Sequence, residues 1–170
     1  ILANPVTLLQ RKVEKPRKVK WSKEDVRSFL STAYSEWSYR SIGLILHMAY
    51  EWGQRIGDMR LLKWEDIDFE EQRVDITQSK RGAEVHLPIP DELLAMLETQ
   101  RVDFGFQDYV APRVKPNHSG YSPYSATEIH YQVNKIKAQA GLSPKLQARD
   151  LRRTAITEMV EAGVDLAGIM

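Results

Sequence analysis

Val74 and Ile76, then Val85, Leu87 and Ile89, alternate with polar neighbours, while on both sides of this stretch apolar residues recur at helical spacing. Alternation puts successive side chains on opposite faces of a strand; a spacing of three and four lines them along one side of a helix. A chain with this order is confined to a mainly α fold with one small antiparallel β-sheet or hairpin, an α+β arrangement. Gln78-Ser79-Lys80-Arg81-Gly82 separates the two alternating runs, so it reads as the connection of a β-hairpin with Gly82 in the turn.

The helices follow from stripes and caps. Ile42, Ile45, Leu46 and Ala49 form one stripe, widened by Met48 and Trp52 and closed by Gly53, as expected of a helix near the centre of the core. Val26, Phe29, Leu30 and Ala33 mark an earlier helix, with Ser22 as N-cap, Asp25 at N3 and Trp21 placed to staple against Val26. A short helix is expected through Met59, Leu61 and Leu62 to Trp64. Pro90-Asp91-Glu92 opens another, with Leu93, Met96 and Leu97 on one face. Residues 102–124 read as a long loop. Ser125-Ala126-Thr127-Glu128 is a capping box ahead of Ile129, Val133, Ile136 and Ala140, ended by Gly141 and Pro144. The last long helix opens at Arg149-Asp150-Leu151-Arg152-Arg153-Thr154-Ala155 and ends at Gly163, after which Asp165 caps a further helix.

The 170 residues fit one domain, and a hydrophobic content of 42% supplies its core. No apolar run approaches a membrane span or a signal-peptide core, and a cytoplasmic location is expected. The absence of cysteine excludes disulfides, thiolate chemistry and Cys-type zinc sites. Net charge is only +1, but residues 11–20 and residues 111–152 each carry a local excess of five positive charges, while acids gather at Glu65, Asp66, Asp68, Glu70, Glu71 and Asp75. One basic and one acidic side permit binding of a polyanion. Residues 1–20, basic and interrupted by Pro5 and Pro16, read as an extended interdomain linker, and 21–170 as the domain. The chain stops at Met170 barely one turn into a helix, which reads as a C-terminal truncation.

Three arginines in the first turn of a helix oppose its macrodipole, and Asp150 offsets only part of the conflict. Two readings stand: a bound anion such as phosphate, or a solvated basic face. Arg149 and Arg152, three apart, share a face. Arg55 follows a glycine-terminated central helix, where a cation needs a partner; Asp58 can provide one, and an ordinary Arg–Asp surface pair is the alternative. Lys80 projects from a turn and can reach a ligand. Lys115, His118, Tyr121 and Tyr124 either contact a nucleic acid backbone or belong to a solvent loop, and His47 reads as a structural histidine. No GxGxxG, P-loop, HExxH, zinc-ligand spacing or nucleophile elbow is present. Arg55, Lys80 and Arg152 are three cations without a nucleophile, a set suited to a phosphoryl group.

Together these segments resemble the catalytic domain of tyrosine recombinases, the phage integrase family. "GQRIGDMRLLKWEDID" resembles its first box, "QSKRGAEVHLPIP" its lysine-bearing hairpin and "ARDLRRTAITEMVEAGV" its second box. The resemblance implies site-specific DNA integration or recombination by strand cleavage and rejoining through a 3′-phosphotyrosyl link, with no metal or other cofactor. It makes Arg55 and Arg152 the catalytic arginines, Lys80 the acid that protonates the leaving 5′ oxygen, and Asp58 a supporting residue. Lys115, Arg153, Arg17, Lys18 and Lys20 would contact DNA. The implied partners are double-stranded DNA at attachment sites and further copies of the protein in a higher-order homo-oligomer. Two positions depart from the family. Arg149 replaces the histidine of the second box, and since arginine stays protonated it can hold phosphate but not act as a base. All seven tyrosines precede Arg149, whereas the family's nucleophile follows the second box, so the fragment is expected not to cleave DNA by itself. The alternatives are a non-catalytic DNA-binding protein with the recombinase fold, a type IB topoisomerase and, least in keeping with Lys80 on a hairpin, a helix-turn-helix regulator.

Overall fold

Helix α2 (Arg40–Trp52) runs through the centre of the molecule, buried on every side from Ser41 to Ala49. It packs against α1 (Lys23–Ser35), α3 (Ile56–Met59), α4 (Asp91–Phe104), α5 (Ala126–Gln139) and α6 (Ala148–Glu161). Ile42, Leu44, Ile45, Leu46 and Met48 are each at most 1% exposed, and side chains of this size contribute about 1.5–3 kcal/mol apiece when buried. The computed structural model describes residues 14–168. The linker reading over residues 1–13 and the reading of a cut at Met170 fall outside that range.

The capping signals hold. Ser22 and Asp25 form a reciprocal box at α1, and Ser125 and Glu128 do the same at α5. Gly53 closes α2 with φ 61°, the left-handed conformation that glycine adopts without a Cβ penalty. At Gly43 the requirement is closeness, since an added Cβ would stand 2.7 Å from Ala33 Cβ where α1 crosses α2. Gly43→Val is therefore expected to destabilise the fold by about 2 kcal/mol through overpacking, read as a lower urea midpoint at unchanged m-value.

The sheet is an antiparallel meander, β1 (Ile67–Asp68), β2 (Arg73–Thr77) and β3 (Glu84–Pro88), with Val74 opposite Leu87 and Ile76 opposite Val85. The hairpin matches expectation; β1, a two-residue strand inside the acidic stretch, does not follow from it. Trp52 Nε1 donates to Pro88 O at 3.0 Å and fastens the end of α2 to the sheet. Two readings are corrected. The expected helix to Trp64 stops at Met59, and Lys63 instead forms a bridge with Tyr109. The loop after α4 begins at Gly105 and is anchored, with Val110 and Ala111 buried and Arg113 N bonded to Ser122 O.

Residues 14–20 carry no helix or strand, yet they are not free of the domain. Arg17 binds Asp150 through Nη2 at 2.9 Å and Lys145 O at 2.7 Å, and Trp21 Nε1 donates to Gln147 O at 2.9 Å. This stretch lies against the start of α6.

Candidate functional site

Three segments meet at one place: residues 53–58 after α2, the hairpin connection 78–82, and the first turns of α6. The turn at Gly53 sends the chain into Arg55, which stands in extended conformation just before α3. Two buried amides lock this turn to the hairpin. Gln54 donates to Trp52 O at 3.0 Å, and Gln54 Oε1 accepts from Gln78 Nε2 at 2.9 Å. Asp58, also buried, accepts from Ser79 N at 3.3 Å, which holds the residue next to Lys80 beside the Arg55 turn. From the other side, Arg152 Nε donates to Gly53 O at 2.9 Å.

A cleft of about 700 Å³ opens here, lined by Arg55, Arg60, Arg149, Arg152, His130 and Gln147 among others, with no carboxylate on its walls. Burial holds the Arg152 guanidinium below its ordinary value, Arg55 and Arg81 add repulsion, and Asp58 partly counters them. Arg55 Nη1 and Asp58 Oδ2 are buried without a hydrogen-bond partner among the described residues. A buried donor on a cation is costly to leave unpaired. Helix α6 also begins without a side-chain cap, at Gln147, so its first N–H groups lack a side-chain acceptor. Clustered guanidiniums and a helix N-terminus both favour an anion in this cleft.

Of the residues singled out in the sequence, Arg55, Arg149 and Arg152 line the cleft. Lys80 is exposed on the hairpin turn, one residue from the Ser79–Asp58 bond, and is not part of the lining. Lys115 belongs to a separate groove with Lys135 and Tyr131. Lys18 and Lys20 are exposed, whereas Arg17 is committed to Asp150. Arg153 binds the Arg17 carbonyl through Nη1 and lies 3.8 Å from Asp150, yet it stays about half exposed. The basic stretch 111–152 loses two members: Arg113 pairs with Glu128 at 2.6 Å, and Lys137 is buried, donating to Pro144 O and Leu146 O. Burial pushes the Lys137 ammonium below its ordinary value.

Tyr124 is buried, so neither alternative, nucleic-acid contact or solvent loop, holds for it, and Tyr121 packs edge-on against Phe104 and Phe106. None of the seven tyrosines lines the cleft. Tyr34 is bonded to His47 Nδ1 at 2.8 Å and Tyr50 donates to Glu158 at 2.6 Å. His47 is structural, as read, although Glu51 at i+4 lies 3.7 Å from its Nε2, a carboxylate at helical spacing that the reading overlooked.

Sequence reasoning missed Arg60, His130 and the Gln54–Gln78 pair. Arg60 had a local signal, since it follows Arg55 in the same short segment. His130 had only its place in the first turns of α5. The amide pair joins positions 24 apart and leaves no local trace.

The phage integrase family profile matches residues 21–170, and the chain belongs to that family. Among curated proteins it is similar to tyrosine recombinase XerA of Pyrococcus furiosus, 30% identical over 126 residues, covering 72% of this chain and 42% of that protein. Tyrosine recombinase XerA of Thermococcus onnurineus is 28% identical over 162 residues, covering 93% and 54%. The chain thus spans about half the length of the curated relatives it matches. In fold it is similar to a XerA recombinase crystal structure (TM-score 0.70, 19% identity, 95% of this chain and 56% of that one). It is also similar to a Tn1549 transposon integrase in complex with transposon right end DNA (TM-score 0.75, 18% identity, 100% and 64%). A lambda integrase tetramer bound to a Holliday junction gives TM-score 0.74 at 18% identity, covering 100% and 51%.

Proposed function

We propose that this chain supplies the phosphate-binding part of a site-specific tyrosine recombinase acting on double-stranded DNA. The observation that carries the reading is the convergence of Arg55 and Arg152, far apart in sequence, on one cleft without a carboxylate. In this reading their planar forked donors bind the non-bridging oxygens of the scissile phosphate, where charge grows in the transition state. Arg149 adds electrostatic hold in place of the family's histidine. Lys80 closes in on the bound strand from its turn and protonates the departing 5′ oxygen, which an ammonium can do and a guanidinium cannot. Asp58 keeps the Arg55 turn and the hairpin in register. Lys115, Lys18, Lys20 and the exposed edge of Arg153 contact the DNA backbone, while Arg17 acts structurally. Further copies assemble on the attachment sites, and the work is done in the cytoplasm.

In this reading none of the seven tyrosines present is the attacking group, and none of them lines the cleft. That same observation keeps a second reading in play, a non-catalytic DNA-binding protein with the recombinase fold. The test has two arms. The chain is mixed with a nicked duplex and resolved under denaturing conditions; no covalent adduct is expected, and an adduct would show that a tyrosine within the chain attacks. Duplex binding is then followed against salt. Affinity is expected to fall linearly on a log–log plot, with a slope shallower by about 0.9 for each phosphate contact removed in Arg55→Ala and Arg152→Ala. Unchanged slopes in both variants would sink the clamp, and a tyrosine-bearing enzyme that binds but never cleaves would favour the second reading.

A further inference from the structure

His130 lies in the first turns of α5 and lines the arginine cleft together with Arg55, Arg60, Arg149 and Arg152. Among the described residues its ring is bonded to Asn134, whose Nδ2 stands 3.1 Å from His130 Nε2. An amide nitrogen only donates, so Nε2 accepts and the neutral ring carries its proton on Nδ1. A neutral His130 therefore keeps one N–H to offer, and protonation adds both a second donor and a charge. The four arginines stay charged across pH 5–8, and a DNA phosphodiester keeps its single charge over the same range. An imidazole is the side chain whose ordinary titration falls there.

We propose that His130 is an anion-binding group of this cleft, donating from Nδ1 to a phosphate oxygen of bound DNA and strengthening that hold as the ring protonates. The inference rests on the phosphate-binding reading above and extends it. It also returns an imidazole to a site where Arg149 stands in place of the family's histidine, from a different helix. The surroundings set the sign. Arg55 and Arg60 face the cleft from the α3 segment, and Arg149, Arg152 and Gln147 from α6. On α5 itself Glu128 is turned to Arg113 and to Ser125 N. Asp58 acts on Arg152 but does not line the cleft. A bound phosphate favours the charged form of an imidazole that donates to it. Anion binding thus takes up a proton, and affinity falls as pH rises.

The experiment measures binding of the 170-residue chain to a short labelled duplex by fluorescence anisotropy, at low salt, from pH 5.5 to 7.5. Affinity is expected to drop about three- to tenfold over that range, the scale of the gain when a neutral hydrogen bond becomes a charge-assisted one. His130→Gln, which keeps a neutral donor, should lose most of this dependence. His86→Gln, which removes the imidazole paired with Asp75 on the outer face of the sheet, should retain it. An undiminished pH dependence in His130→Gln would overturn the inference. So would a His130 ring ¹⁵N spectrum that does not move when duplex is added. If instead Arg55→Ala and Arg152→Ala bind like the unaltered chain, the phosphate-binding reading itself fails, and the two failures are told apart.

Discussion

Arg152→Ala is expected to lower DNA cleavage by about a hundred- to a thousandfold in a tyrosine-bearing form of the enzyme, while duplex binding by the 170-residue chain weakens far less. The reasoning starts from the free cleft. Arg152 is disfavoured there by burial and by its neighbours Arg55 and Arg81. That cost is relieved only as negative charge arrives, and most fully when it concentrates on the non-bridging oxygens in the transition state. Loss of one preorganised donor to a developing oxyanion costs about 3–4 kcal/mol. A ground-state phosphate contact contributes mainly one unit of counterion release, so the rate should fall more than the affinity. Arg152 also donates to Gly53 O at 2.9 Å, and alanine leaves that carbonyl without its side-chain donor. Arg152→Lys separates the two roles, because it keeps a cation and removes the forked geometry. A lysine variant that cleaves at the unaltered rate would show that charge alone suffices and that the bidentate hold is not used.

What made Arg152 legible was that it broke a local rule. Basic residues at a helix N-terminus conflict with the dipole, and that conflict is visible in one turn of sequence. The central helix and the hairpin were legible for a similar reason, since period and caps are local properties. Other features have no local signature. The strand Ile67–Asp68 is too short for alternation to show, and it exists because its edge pairs with Val74 and Arg73. Leu61 and Leu62 continue a helical spacing, yet Leu62 O bonds Val110 N and draws the chain out of the helix. The Gln54–Gln78 bond, which fastens the Arg55 turn to the hairpin, is a pairing that only the folded chain brings about. Lys137 was counted with the basic face because composition cannot tell a solvated ammonium from one turned inward to cap Leu146 O. Arg55, Arg149 and Arg152, three of the residues that line the cleft, could thus be singled out from sequence, whereas Arg60, His130 and the contacts that hold the cleft together could not.

Asp150→Ala is expected to destabilise the domain by about 3 kcal/mol and to loosen the segment before α1. Asp150 is fully buried in the first turn of α6, where a carboxylate is favoured by the helix dipole. Both its oxygens face Arg17, at 3.3 Å from Nε and 2.9 Å from Nη2, and Arg153 lies 3.8 Å away. Breaking a buried ion pair by removing one partner costs about 3–5 kcal/mol, because the other charge is stranded. The lower end applies here, since Arg17 is 31% exposed and can turn towards water. The loss has a second reading in the chain ahead of α1. Arg17 also holds Lys145 O, and Trp21 N donates to Thr154 Oγ1, whose hydroxyl in turn donates to Asp150 O. With the carboxylate gone, Trp21 still docks, and residues 14–20 keep only the holds of Arg17 on Lys145 O and of Arg153 on the Arg17 carbonyl. Trypsin should then cut after Arg17, Lys18 and Lys20 faster in the variant than in the unaltered chain, at denaturant concentrations where both are folded. Asp150→Asn, which keeps an acceptor and removes the charge, should fall between the two. Equal cutting rates in all three would mean that Arg17 does not hold the segment, and a urea midpoint that does not move would mean the buried carboxylate costs as much to desolvate as its pairing returns.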